Sequence, residues 1–184
     1  MLPESRRNED YGVEMPAHRP LPFDPIARAG ELWAERIGPA ATMAAVTNVM
    51  RVQQILQQAV DTALRPHRLT FARYEALVLL SFAQRSSLPM GVMGERLQLH
   101  PTSVTNIVDR LQANHLVERN PHPTDGRTTL VAITPAGRQR LEEATTALTT
   151  VEFGLVGLDR QQTVQLTDLL TEVRRAAGDF TESR

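Results

Sequence analysis

The side chains best placed to do chemistry in this chain are hydrogen-bonding groups. Between Pro101 and Asn114, the apolar residues Val104, Ile107, Val108 and Leu111 fall at i, i+3, i+4 and i+7, which buries one face of a helix. The other face carries Thr102, Ser103, Thr105, Asn106, Asp109 and Arg110, concentrated in the first two turns. Short side chains let a helix backbone approach a partner closely, and a carboxamide such as that of Asn106 can make a two-point contact with an adenine edge in the major groove. An ordinary polar surface helix would have the same pattern, so the flanking segments must separate the two readings. Upstream, Met90, Met93 and Leu97 form the apolar stripe of a short helix over about 90–97, with small Gly94 where two helices would cross. The turn Gln98-Leu99-His100, with Leu99 pointing inward, and the helix opened by Pro101 complete the spacing of a helix-turn-helix. Downstream, strands near Leu116–Arg119 and Thr129–Ile133 flank the hairpin tip NPHPTDGRT, which has an Asp-Gly turn signal. At that tip the Arg127 guanidinium can enter a minor groove, where the negative potential is enhanced, and Asp125 can aim it through a bidentate pair. Alone, such a pair is a surface salt bridge of little worth. Directly after a helix of this kind it predicts a winged helix-turn-helix that reads double-stranded DNA.

The rest of the chain offers little for other chemistry. The absence of cysteine excludes a disulfide framework, a thiolate metal site, a cysteine nucleophile and a thiol redox switch. There is no glycine-rich phosphate loop, no G-x-S-x-G and no H-E-x-x-H, and Glu142 and Glu143 are adjacent on a helix and so face different ways. His67, His100, His115 and His122 are scattered without ligand spacing. We therefore expect no catalytic residues, no metal and no cofactor. His100 fits a turn position or a phosphate contact, and His122 adds to the wing. No apolar run approaches the ~18–20 residues of a membrane span. MLPESRRNEDYG lacks an apolar stretch behind its basic residues, so a cytoplasmic protein, nucleoid-associated when bound, is expected. The net charge of −1 hides an uneven distribution: residues 65–140 carry 10 Arg against 5 acids, and residues 141–184 carry 4 against 8. All 20 basic residues are Arg, and the excess over the middle segment is the local field that a polyanion requires.

These side chains need a scaffold to position them. Residues 1–24 read as a flexible arm, polar and interrupted by Pro3, Pro16, Pro20 and Pro22. Asp24 before Pro25 is an N-cap with proline at the first helical position, and Gly38-Pro39 breaks that helix. A second helix spans about Ala40–Leu64, and a third, apolar on most sides, starts near Phe71 with Thr70 as N-cap and Leu69 and Tyr74 at staple spacing. Thr134-Pro135 opens another helix, Gly154 and Gly157 interrupt its stripe, and Asp159 with Gln162 forms a capping box for the last. The expected organisation is N-terminal helices over 25–68, a DNA-binding lobe over 69–134 and C-terminal helices over 135–184. The fold class is mainly α with a small β-hairpin wing. Amphipathic helices at both ends of the chain, around a compact centre, predict a dimerisation layer and a symmetric dimer.

With these elements in place, the stretch LQLHPTSVTNIVDRLQANHLVERNPHPTDGRTTLVAITPAGR resembles the MarR family of bacterial transcription regulators. The family pattern is a recognition helix, a V-x-R strand, D-x-R at the wing tip and a T-x-x-G-R helix start. Here these are Pro101–Asn114, Val117-Glu118-Arg119, Asp125-Gly126-Arg127 and Thr134-Pro135-Ala136-Gly137-Arg138, and with the upstream LTFARYEALVLL the resemblance covers roughly residues 43–178. It implies a triangular homodimer whose two lobes bind a palindromic operator, most often as a repressor. It carries over Thr102, Ser103, Thr105, Asn106 and Arg127 as DNA contacts, with Arg73 and Arg110 as weaker candidates for phosphate contact or an internal salt bridge. It also implies a crevice for a small aromatic or anionic effector, lined here by Trp33, Met50, Phe71, Tyr74, Val78 and Leu141, although core packing is the stronger reading of these apolar residues. The urate-responsive branch has an arginine in the recognition helix where this chain has Ile107, and Glu75 is no secure match to that branch's acidic residue. A winged-helix protein-interaction module and a DNA-binding protein without any ligand are the competing readings.

Overall fold

A computed structural model of the chain describes residues 21–125 and 128–181. The elements in order are α1 (Pro25–Arg36), α2 (Ala41–Leu64), α3 (Phe71–Phe82), β1 (Ser87–Pro89), α4 (Met90–Leu97), α5 (Pro101–Ala113), β2 (Val117–Pro121), β3 (Thr129–Ile133), α6 (Pro135–Thr150) and α7 (Arg160–Ala176). The boundaries follow local chemistry. The Asp24 carboxylate accepts from the backbone N–H groups of Ile26 and Ala27. Thr70 caps α3, while Leu69 and Tyr74 on either side of that cap are both buried, as a hydrophobic staple requires. Thr134 accepts from Gly137 N–H at 3.0 Å and donates to His115 C=O at 2.8 Å, so one hydroxyl starts α6 and ties it to the loop before β2.

Residues up to Gly154 form one compact unit and Leu155–Arg184 a second. In the first, a single core gathers Leu64 from α2, Leu77 and Leu80 from α3, Met93 from α4, Val104, Val108 and Leu111 from α5, Val117 and Val131 from the sheet, and Leu148 from α6. Thus α6 packs on α2 and α3 and shares one core with α4, α5 and the sheet. The second unit holds α7, started by a complete capping box between Asp159 and Gln162.

The sheet has three strands, not the two of a bare hairpin. Its order is β1-β3-β2, all antiparallel, with Leu88 opposite Val131 and Arg119 opposite Val131 on the other side. A three-residue strand containing proline has no alternation to betray it. It forms because β3 has a free edge and Pro89 occupies an edge strand, where its missing N–H costs no ladder bond.

Candidate nucleic-acid interface

The α4–α5 pair is held close by one small residue. A Cβ on Gly94 would lie 3.3 Å from Leu99 O and 3.4 Å from Val104 Cγ2. Gln98 ends α4 in the left-handed region, and the Leu99 N–H returns to Gly94 C=O at 2.9 Å, turning the Leu99 side chain toward the core. His100 is the N-cap of α5, its Nδ1 accepting from Thr102 N–H at 3.3 Å. That bond uses the Nδ1 lone pair and leaves Nε2 for another partner. Thr102, Ser103, Thr105 and Asn106 are all exposed beyond the buried face. The Thr105 hydroxyl donates to Pro101 C=O at 3.0 Å, which leaves its methyl group and its lone pairs for a partner.

Arg73, Ser103, Asn106 and Arg110 come together along an open groove of about 480 Å³ between the start of α3 and α5, with Leu99 and Ile107 on its apolar side. Among the described residues neither arginine is in an ion pair, so the salt-bridge alternative for Arg73 and Arg110 is not realised within the described chain. At the wing, Asp125 accepts from the Thr128 hydroxyl at 2.6 Å, and its C=O accepts the Thr128 N–H at 3.0 Å. These bonds close the hairpin end. Arg127 lies outside the described residues, as does Gly126.

The six residues proposed for the effector crevice divide. Tyr74 and Leu141 are buried in the core, with Phe71 and Val78 packed against it. Phe71 and Tyr74 stack at 6.2 Å, and the Tyr74 hydroxyl pairs with that of Thr145 at 3.2 Å. Met50 and Trp33 stand apart on α2 and α1, both exposed. An open groove of about 440 Å³ lies nearby between Ser81 and α6, and of the six only Leu141 lines it. Partial desolvation raises the carboxyl of Glu75 on α3 above its ordinary value. No group of three metal-ligating side chains occurs among the described residues. None of their helices is long and apolar enough to cross a membrane.

Comparison with known proteins agrees with this geometry. Residues 69–128, the span from the staple of α3 to the wing tip, match the family model described as MarR family. The chain is 50% identical to Sco5413, a MarR family transcriptional regulator from Streptomyces coelicolor whose crystal structure superposes with a TM-score of 0.70, covering 77% of this chain and 99% of that one. The chain belongs to the MarR family. It is accordingly a helix-turn-helix transcriptional regulator and not an enzyme. A further relative by sequence is YhbI of Bacillus subtilis, described as an uncharacterized HTH-type transcriptional regulator, 27% identical over 126 residues, or 68% of this chain and 77% of that one. The MarR family regulator Sco3205 from S. coelicolor, solved in complex with DNA, shares the fold with a TM-score of 0.68 at 20% identity over 73% of this chain and 90% of that one.

The V-x-R strand is legible in the sequence, but the contact its arginine makes is not. Arg119, in the V-x-R strand, reaches from β2 to the recognition helix, donating to Asp109 Oδ1 at 2.6 Å and to Gln112 Oε1 at 2.5 Å. The partners are ten and seven residues away, so no helical or strand period pairs them.

Proposed function

We propose that this MarR-family chain binds a pseudo-palindromic operator as a homodimer and represses transcription from it. The reading rests above all on α5: its inner face is locked into the core, the first two turns of its outer face are exposed and carry mainly small hydrogen-bonding groups, and the groove beside it holds two arginines without acidic partners among the described residues. In this reading Thr102, Ser103, Thr105 and Asn106 contact base edges in the major groove. Arg73, Arg110 and the Nε2 of His100 hold phosphates, which fixes register without reading sequence. Arg127, aimed by Asp125, enters the adjacent minor groove.

The helices of 25–68 and 135–184 supply the dimer contact. Support comes from the apolar side chains left exposed on α2 and α7, among them Met50, Leu169 and Val173, which a monomer would leave in water. A small aromatic or anionic effector would release the operator by its differential affinity for the two lobe spacings; of the six residues expected to line its crevice, Leu141 alone borders the open groove beside α6. Residues 1–20, most of the arm expected over 1–24, lie outside the described residues; the protein works in the cytoplasm, on the chromosome.

Enrichment of duplexes from a randomised pool by the full chain tests this. The expected product is an inverted repeat with half-sites about one helical turn apart. Recovery of no motif would refute it.

A further inference from the structure

The fork made by Arg119 has an electrostatic consequence for the recognition helix. At about 100° per residue, Thr102, Asn106 and Asp109 fall along the line of α5 farthest from buried Val104, Val108 and Leu111. Two of the three are neutral hydrogen-bonding groups. The third is a carboxylate, one turn beyond Asn106 on the face offered to a polyanion. Like charges brought together at an interface are strongly unfavourable. Among the described residues Asp109 is met by one cation, Arg119, at 2.6 Å, and that guanidinium comes from the wing strand. The arginine side chain is 25% exposed and the aspartate 56%, so the cation lies on the more sheltered side and the carboxylate on the outer one. The second arm of the fork, to Gln112, keeps the guanidinium in place without adding charge.

We propose that Arg119 is a charge-masking residue of the DNA interface: it neutralises Asp109 so that a carboxylate on the outer line of the recognition helix does not repel phosphates. The inference rests on the operator-binding reading above. It makes Arg119 a positioning residue that acts through Asp109 and not a DNA contact. It also distinguishes Arg119 from Arg73 and Arg110, whose charges have no acidic partner among the described residues.

The test uses the full chain as wild type, Arg119→Ala, Asp109→Asn and the double variant, titrated against the duplex that the wild type enriches from a randomised pool. Thermal midpoints are measured on the same samples. Arg119→Ala is expected to bind at least about tenfold more weakly, because it leaves the carboxylate bare. Asp109→Asn should stay within about threefold of wild type, and the double variant should return to that same range, because removing the carboxylate removes the need for the mask. A double variant as weak as Arg119→Ala would overturn the proposal, since Arg119 would then touch DNA or merely brace the wing. So would a weak Asp109→Asn, or an Arg119→Ala that binds like wild type. Should Arg119→Ala lose its folding transition, Arg119→Gln, which is also uncharged, takes its place with the same pattern required. If the wild type enriches no sequence, the operator reading itself fails and the mask falls with it. If it does enrich one, the variants judge Arg119 alone.

Discussion

Gly137 shows how tightly single residues are specified around the site. A Cβ there would stand 2.1 Å from Leu116 O and 2.9 Å from Ile133 Cγ1, at the junction of α6 with the strand region. Gly137→Ala should therefore destabilise the protein by about 1–3 kcal/mol, the usual cost of overpacking, seen as a lower denaturation midpoint with an unchanged slope. Asn106→Ala has a different signature. If Asn106 reads an adenine edge, its loss removes about 1–3 kcal/mol of discrimination at one base pair and leaves the salt dependence as it was. Arg127→Ala should weaken binding to all sequences and lower the salt slope by about 1, as removal of a phosphate-neutralising charge does. Much of this scale was legible beforehand. Asp24, Thr70, Thr134 and Asp159 were all readable as caps because a cap and its N–H partner are two or three residues apart. In the sequence His100 fits a turn or phosphate position, and its capping bond is not legible there because imidazole is not among the usual capping side chains. The Arg119 fork was hidden for another reason: its partners meet only after α5 and β2 have packed.

At the scale of elements, the recognition helix depends on its neighbours. Gly94 lets α4 cross α5 closely, and a branched side chain there would push on Leu99 C=O and Val104. Gly94→Val is expected to cost about 1–3 kcal/mol in stability and to reduce operator affinity even where the fold is retained, because α5 would be displaced from its seat. Parallel thermal melts and binding titrations would separate the two effects. Helix starts were legible to within one or two residues because caps are local signals, whereas α6 ends at Thr150, before the Gly154 and Gly157 that the stripe suggested as its break. The β1 strand was not, since three residues carry no period and its existence depends on the free edge of β3. The crevice residues illustrate the limit of apolar patterning: Tyr74 and Leu141 sit in the core while Met50 and Trp33 are exposed, and spacing along a helix does not tell those fates apart.

For the whole molecule, α7 is the element that would join two copies in the proposed homodimer. Leu169 and Val173 on α7 are 68% and 67% exposed, and α7 buries none of its residues. Under the homodimer proposal, Leu169→Arg together with Val173→Arg should halve the solution mass measured by sedimentation and abolish tight binding to a two-half-site duplex, while weak binding to single half-sites persists. The uneven charge along the chain was the earliest sign of a polyanion partner, but a charge tally cannot place a groove. Arg73 and Arg110 are 37 positions apart in sequence and line one groove only because α3 packs on α5.

The central claim, that this MarR-family chain reads a specific DNA sequence, is tested most directly by a salt titration. The full chain would be bound to a duplex from its own upstream region, with a scrambled duplex of equal composition beside it. Affinity for its own sequence is expected to be at least ~10³-fold tighter, as specific readers show at physiological salt. A steep linear fall of log affinity with log salt is expected for both duplexes, from the neutralised phosphates. Equal, weak binding to both, with no such slope, would contradict the claim.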